Sequence, residues 1–222
     1  MNGPIRWLAL AATVSLATAP AAASAQDRGA APVIAYTTQK ESAGFVLRRG
    51  STAILSISVI GLGALVADGA HLVSEEHLVD PSAALAHDVA AHVAERVSGT
   101  LAPAPVEIST QRPKEIAAAA AAAASGRLVV NARTIGWGTF AYHLHGIYFS
   151  YTELLQVIDG PTGAVLVSDY CSWPKADPNP VSTDDLLADH AKELRRRIDE
   201  GTKACLTEFL AKVDSSKALV PG

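Results

Sequence analysis

The sequence has 222 residues and a formal charge of −4 at neutral pH, from 22 acidic and 18 basic side chains. Its length suits one domain with a hydrophobic core of its own. Because the chain is acidic and has no extended basic run, nucleic acid is excluded as an expected partner.

Residues 1–25 have the pattern of a cleavable signal peptide. Met1–Arg6 carries one positive charge, the uncharged segment Trp7–Ala19 follows, and Ala23-Ser24-Ala25 is a small-x-small cleavage site. The alternative, an uncleaved anchor, has an apolar centre shorter than the ~20 residues of a bilayer span. We therefore predict a periplasmic or secreted protein without a transmembrane anchor, in which residues 26–222 form a single mixed α/β domain.

The uncharged stretch Gly50–Ala67 allows two interpretations. At 18 residues it reaches the lower limit for a transmembrane helix. However, Gly61 and Gly63 interrupt it, and Arg48-Arg49 would lie on the translocated side, against the positive-inside tendency. We favour a buried strand at about residues 52–58 that leads into a helix, with membrane association as the alternative.

Two further helices are predicted in the first half of the chain. The first begins at Asp80-Pro81, an N-cap followed by a proline suited to the first helical turn, and ends at Gly99. Its apolar stripe consists of Leu85, Val89, Val93 and Val97. A short strand follows around Val106–Ser109. Lys114–Ser125 is then a second helix, whose run Ala117–Ala124 suits close approach to a sheet.

The second half is rich in β-branched and aromatic residues, which indicates strands. Three are predicted, at Leu128–Thr134, Ile147–Ile158 and Ala164–Cys171, with Asp159–Gly163 as a hairpin loop. The segment Ile135–Gly146 is a bent strand or a long loop. This order predicts a mixed α/β (α+β) fold in which helices cover an antiparallel strand meander.

The last predicted helix, Ser182–Val213, is long and the most clearly amphipathic. Ser182 and Asp185 have the spacing of a capping box at its start. Its apolar positions recur every three or four residues, at Leu187, Ala191, Leu194, Ile198, Thr202, Cys205, Phe209 and Val213. We expect joint burial of Leu187, Leu194, Ile198, Cys205 and Phe209, and exposure of Arg195, Arg196 and Glu200.

The chain has two cysteines, Cys171 at the end of a predicted strand and Cys205 on the apolar stripe of the last helix. In an oxidising compartment such a pair predicts a disulfide that ties the helix to the sheet. The alternative, a redox-active pair, lacks the C-x-x-C spacing.

Seven histidines raise the question of a metal site. His143 and His145 share a face if they lie on a strand, but zinc needs three or four ligands and the sequence identifies no third. His87 and His92 point about 140° apart on a helix and cannot bind one ion. We therefore expect no metal and no other cofactor, with His143 and His145 as weak candidates.

The candidate partner-binding feature is Gly136-Trp137-Gly138 with the neighbouring Phe140 and Tyr142. Aromatic side chains dominate binding energy when they enter a partner's pocket. The competing interpretation is that Trp137 anchors a bent strand in the core.

No catalytic residue is assigned, because the sequence has no G-x-S-x-G elbow, H-E-x-x-H pair or phosphate loop. In element order, and in Val165–Cys171 and Leu186–Cys205, the chain resembles uncharacterised exported bacterial envelope proteins. In outline it is also similar to the small periplasmic α/β modules of the TolB N-terminal and penicillin-binding-protein-activator type. The resemblance implies an accessory or assembly role without catalysis.

We therefore expect a non-enzymatic envelope accessory protein that binds another envelope component. Two alternatives stay open: a hydrolase or metal-dependent enzyme with a site built from scattered residues, and a small-molecule carrier. A deep pocket with convergent polar groups favours these alternatives, and a flat apolar patch favours the accessory protein.

We predict that the exported protein is cleaved after Ala25. N-terminal sequencing of secreted material should begin at Gln26, or within a few residues of it, because the small-x-small pattern ends there. A mature chain that still carries Trp7–Leu16 would overturn the predicted compartment and the disulfide argument that depends on it.

Overall fold

Helices and strands alternate in the first half of the described chain, and the three longest strands follow one another in the second half. A computed structural model of the protein describes residues 31–41, 43–48, 59–124, 126–142, 146–175 and 179–219. Its elements in chain order are β1 (Val33–Gln39), β2 (Phe45–Val46), α1 (Val59–Glu75), α2 (Ser82–Arg96), β3 (Thr100–Leu101), β4 (Val106–Ile108), α3 (Pro113–Ala124), β5 (Leu128–Ala141), β6 (Ile147–Asp159), β7 (Val165–Trp173), α4 (Thr183–Ser215) and a 3-10 turn (Lys217–Leu219).

The strands form one mixed sheet. Its order is β3-β1-β5-β6-β7, with β4 also paired to β1 and β2 also paired to β5. The pairs of β1 with β3, β4 and β5, and of β2 with β5, are parallel. The pairs β5–β6 and β6–β7 are antiparallel. The mixed α/β class is confirmed, but the expectation of a wholly antiparallel sheet is wrong.

The parallel half exists because of β1, a strand that the sequence-based prediction omitted. Its sequence VIAYTTQ is rich in β-branched residues, and Ile34 and Ala35 are fully buried. Parallel neighbours need a long crossover connection. The helices α1 and α2 provide it between β1 and β3, and α3 lies in the connection from β4 to β5, both of which pair with β1.

Different helices cover the two faces of the sheet. On one face, α2 and α4 pack against the strands through residues that are at most 1% exposed, including Leu85, Val89, Leu194 and Phe209. On the other face, α3 packs through Ile116, Ala117 and Ala120 against Ala35, Val129 and Ile158. The alanine surface of α3 thus lies directly on the sheet, as its sequence suggests.

The segment from Ile135 to Ala141 continues β5 as a bent strand. The pairing register with β6 shifts between Thr134 and Gly136, which marks a bulge. Beyond it, a Cβ atom at Gly138 would lie 2.3 Å from the carbonyl oxygen of Val46. Glycine is therefore required for β2 to pair at that point.

A break near the start of α4 changes the predicted apolar stripe. Residues Ala188–Ala191 have non-helical backbone angles, so the helical phase before the break is not continuous with the phase after it. Leu186 is therefore buried and Leu187 only half-buried, which corrects the expectation for Leu187. The rest of the expected stripe is buried, as Leu194, Ile198, Cys205 and Phe209.

Two of the three charged residues expected to be exposed on α4 are exposed, and the third, Arg195, is not. Arg196 and Glu200 are exposed, and Arg195 is half-buried. Arg197 is only 4% exposed, because its guanidinium donates to Glu193 at 2.7 Å and to the carbonyl oxygen of Asn179 at 2.9 Å. At the start of the helix, the Ser182 hydroxyl accepts the Asp185 backbone N–H at 3.0 Å, so the predicted cap is confirmed.

The disulfide between Cys171 and Cys205 is present. It joins the last strand, β7, to α4, and both cysteines lie in the main hydrophobic core at 1% and 0% exposure. The covalent link therefore holds the covering helix on the sheet from within the core.

Several predictions fall outside the described residues. These are the signal peptide at 1–25, the strand at about 52–58, and the histidines His143 and His145. Among the helices that the structure describes, none is long and apolar enough to cross a membrane.

We predict that Cys205→Ser destabilises the protein by about 4 kcal/mol, because the disulfide closes a loop with a sequence separation of 34 residues. For a domain of this size the melting temperature should fall on the order of 10 °C. Thermal melts with and without reductant test this, together with mass analysis of alkylated protein. Quantitative alkylation of both cysteines in natively exported protein would show that the bridge does not form.

Candidate functional site

The sheet has a gap along one edge of β5, between the stretch that pairs with β1 and the stretch that pairs with β2. β1 pairs with Leu128–Val130, and β2 pairs with Trp137 and Gly138. Between them, β5 has no described strand on that side. β1 and β4 both end here, at Gln39 and Ile108. The carboxyl ends of parallel strands are the usual ligand sites of open α/β sheets.

A cavity of about 300 Å³ occupies this gap, and we call it the β1–β2 crevice. Its buried floor includes Ile108 and Thr134, and its sides and mouth are half-buried or exposed. The other lining residues are Gln39, Glu41, Ala43, Ser109, Gln111 and Arg133. Hydroxyl, amide, carboxylate and guanidinium groups therefore converge on one small cavity.

None of these lining residues was a candidate from the sequence. They come from the end of β1, the loop after β4 and the middle of β5, which are distant along the chain. No motif links such segments. Only the parallel pairing of β1 with its neighbours brings them together.

A chain of buried amides holds the β1 side of the crevice. The Thr37 hydroxyl and the Gln39 amide both donate to the Asn131 side-chain oxygen, at 2.8 and 3.2 Å. The Asn131 amide donates in turn to Gln156 at 3.2 Å. These contacts run from β1 through β5 to β6 and fix the orientation of Gln39 at the wall.

Trp137 has a structural role beside the crevice. It is 2% exposed, and its indole N–H donates to the carbonyl oxygen of Ala43 at 2.7 Å. Its ring packs edge-to-face on Phe45 at 5.1 Å. Trp137 is thus a core residue that holds the crevice wall, and it is not presented at the surface for a partner.

The other two aromatic candidates are closer to the surface. Phe140 and Tyr142 are half-buried, and each contacts the Tyr148 ring, at 5.9 and 6.1 Å between centroids. The Arg48 guanidinium lies 5.4 Å from the centre of the Phe140 ring. The structure therefore separates Phe140 and Tyr142 from Trp137.

Two carboxyl groups lie directly behind the floor of the crevice. The Thr134 hydroxyl oxygen is 2.5 Å from Asp80 Oδ1 and 3.0 Å from Glu153 Oε2. One hydroxyl has one proton to donate. Both contacts are hydrogen bonds only if one carboxyl is protonated and donates to Thr134, so the three groups share a proton between two acids.

Glu153 is the acid that holds this proton. Its side chain is fully buried, and burial, followed by the nearby charge of Asp80, raises its pKa to about 8. The Tyr151 hydroxyl donates to the same carboxyl at 2.9 Å, and burial raises the pKa of Tyr151 as well. Arg133, on the crevice side, acts in the opposite direction and lowers the Glu153 pKa.

Asp80 also connects this cluster to α2. Its Oδ1 accepts the backbone N–H of Ser82, the first residue of α2, at 2.9 Å, although the N-cap position is Pro81 and not Asp80 as predicted. The same carboxylate oxygen accepts from Thr134 on β5. Asp80 therefore attaches the start of the helix to the strand that forms the crevice floor.

The histidines whose positions the structure describes form no metal centre. His87 contacts Asp88 at 3.0 Å, whereas His92 contacts Asp214 of α4 at 2.8 Å. Within the described ranges, no group of three or more His, Cys, Asp or Glu side chains could hold an ion. The candidates His143 and His145 lie outside those ranges, so their role stays a prediction.

No family model matches the sequence. No curated protein matches it either. Similar solved structures include the lipoprotein GNA1162 from Neisseria meningitidis and the hypothetical protein CT253 from Chlamydia trachomatis.

Both structural similarities are weak. The Neisseria lipoprotein is 14% identical, with a TM-score of 0.29, and the match covers 76% of this chain and 99% of that one. The Chlamydia protein is 15% identical, with a TM-score of 0.33 and coverage of 84% and 98%. At such scores we draw no conclusion from either.

We predict that Glu153→Gln flattens the pH dependence of stability. Folded Glu153 keeps its proton to about pH 8, whereas the unfolded side chain ionises near pH 4.5. Between these values the folded state binds more protons, so wild-type stability falls as pH rises, by up to about 1.4 kcal/mol per pH unit. The contribution of the neutral carboxyl is complete below pH 4.5 and lost above pH 8.

Denaturant unfolding across this pH window measures the effect. The glutamine variant stays neutral and should lose less stability than wild type as pH rises. Glu107→Gln, a change at an exposed residue of β4, is the control and should follow wild type. Parallel stability curves for wild type and Glu153→Gln would show that another group titrates.

Proposed function

We propose that this protein is a non-enzymatic binding protein of an exported compartment, and that it takes a small polar ligand in the β1–β2 crevice. The observation that carries the proposal is the convergence of polar groups on a cavity of about 300 Å³ at the carboxyl ends of β1 and β4. Small-molecule sites are concave and use a few placed polar groups to orient the ligand.

The contacts around the crevice support a preformed site. The buried amides hold Gln39, and Trp137 holds the backbone of Ala43 from behind. A wall that is fixed before binding reduces the entropy lost when a ligand is ordered. These contacts favour a carrier-like role, one of the alternatives that the sequence left open.

The burial of Glu153 supports binding without catalysis. A general acid or base must come within hydrogen-bond reach of the group on which it acts. Glu153 has the raised pKa of such a group, but it is 0% exposed and lies behind the Thr134 hydroxyl. It therefore acts on the structure of the site instead of on a substrate.

The disulfide supports the exported location. Stable disulfides are typical of oxidising compartments such as the periplasm or the extracellular space. The bridge between Cys171 and Cys205 is fully inside the core. Together with the signal-peptide pattern of residues 1–25, it favours a periplasmic or secreted protein.

A second candidate function is docking to another envelope component. The observation that favours it is the half-buried aromatic group of Phe140, Tyr142 and Tyr148. Aromatic rings of this kind are common anchors in protein interfaces. This function would use a surface that does not include the lining of the crevice.

We predict that small polar compounds perturb the crevice selectively. Titration of isotope-labelled protein with separate mixtures of amino acids, sugars, polyamines and phosphorylated metabolites should shift the amide signals of Ala43, Ile108 and Thr134. Ala43→Leu should remove the shifts, because the larger side chain fills the cavity while the backbone carbonyl still accepts from Trp137.

Two controls make this test specific. Ala118→Leu adds the same volume at an exposed position of α3 and should bind like wild type. Phe140→Ala removes a ring of the aromatic group and should also leave the crevice shifts unchanged. Absence of shifts with every mixture, or shifts that persist in Ala43→Leu, would contradict a ligand site in the crevice.

A further inference from the structure

Two opposite charges line the β1–β2 crevice without forming an ion pair with each other. Glu41 lies at the mouth and Arg133 on the wall. Elsewhere in the described chain, charged side chains are commonly satisfied in pairs, as with Lys175 and Glu208 at 2.7 Å. Neither Glu41 nor Arg133 forms a hydrogen bond or an ion pair with any described residue.

The two side chains differ in exposure, but each has a backbone held by its neighbours: Arg133 is half-buried and Glu41 is exposed. Arg133 is half-buried on β5, and its neighbours along the strand point into the buried hydrogen-bond networks: Asn131 is 2% exposed and Thr134 is 2% exposed. Glu41 follows β1 directly, in a segment whose backbone is attached to β4 by the hydrogen bond from Lys40 N–H to the Ile108 carbonyl at 2.8 Å. Both charges are therefore carried by anchored backbone.

We propose that the ligand of the crevice is a zwitterion of amino-acid size, with its carboxylate at Arg133 and its ammonium group at Glu41. This inference rests on the proposed binding function and names the chemical class of its ligand. The guanidinium offers a planar pair of N–H donors that matches a carboxylate. The Glu41 carboxylate accepts from the ammonium group, and Ser109 and Gln111 supply neutral hydrogen-bonding groups beside it.

Ligands with one charge fit the lining less well. A simple anion at Arg133 would leave Glu41 unneutralised in the same small cavity and would be repelled by it. A simple cation at Glu41 would meet the positive charge of Arg133. A ligand with both charges neutralises both side chains, and the volume of about 300 Å³ is at the small end of ligand sites.

The test compares an amino acid with its two singly charged analogues. Each of the twenty standard amino acids is titrated into the purified mature protein by calorimetry. The tightest binder is then compared with its desamino acid and its decarboxylated amine. We expect each analogue to bind at least 10-fold more weakly than the amino acid, because each leaves one crevice charge without a partner.

Variants assign each charge to its side chain. Arg133→Gln should bind the amino acid and the amine with similar affinity, because it no longer recognises the carboxylate. Glu41→Gln should bind the amino acid and the desamino acid with similar affinity. The matched controls are Arg127→Gln and Glu95→Gln, at exposed positions outside the lining, and both should bind like wild type.

The outcomes separate this inference from the proposed function. An analogue that binds as tightly as the amino acid overturns the zwitterion, and so does binding that neither Arg133→Gln nor Glu41→Gln changes. Binding of a sugar or phosphorylated compound, with no amino acid bound, also overturns it but leaves a small-ligand site in place. Failure of every compound to bind overturns both.

Discussion

The structure depends on the length of β5. This strand has 14 residues, and on its antiparallel edge β6 pairs with it along almost the whole length. On the other edge, β5 pairs with two strands over short stretches only. β1 pairs with three of its residues, Leu128–Val130, and β2 pairs with two, Trp137 and Gly138. The unmatched part between them cannot close, because β1 has ended and its chain must cross to the start of β2. The crevice is the direct result of this mismatch, and no insertion or special loop is needed to produce it.

Thr134 joins the inside of the protein to this gap. The residue lines the crevice floor, and its hydroxyl contacts both Asp80 and Glu153. A buried, unpartnered carboxylate is expensive, so the cluster is stable only with a proton kept among its members. Because Asp80 also accepts the N–H of Ser82 at the start of α2, a local change at Thr134 would reach both the helix start and the sheet. The floor is therefore a rigid part of the core, and a ligand in the crevice meets a surface that is already ordered.

The parts of the fold that the sequence predicts are those with local signals. The cap at Ser182, the helix start just after Asp80, the hairpin loop after β6 and the burial of Cys205 all follow from residues within a few positions of one another. The parallel half was missed because β1 is a single short strand, and strand partners are set by the crossover helices and not by neighbouring residues. The predicted burial of Leu187 in α4 is wrong for a related reason. Periodicity assumes a continuous helix, and the break at Ala188–Ala191 has no glycine or proline to mark it.

The candidate site was not predictable for a further physical reason. Glu41, Gln111 and Arg133 are ordinary solvated residues when each is viewed in its own segment, and only the sheet makes them neighbours. Trp137 shows how the sheet decides between two interpretations that the sequence left open. Its flanking glycines resemble an exposed loop, yet Gly138 is present because β2 approaches it closely, and the indole fills the space behind the crevice wall. The charged lining and the buried Trp137 have the same cause. Two short strands, β1 and β2, pair with one edge of β5; the gap between these strands collects the charges, and the pairing with β2 buries the Trp137 ring. A charged lining on a wall with such support is suited to recognising the charges of a ligand, because Arg133 is carried by β5 and Glu41 directly follows the end of β1.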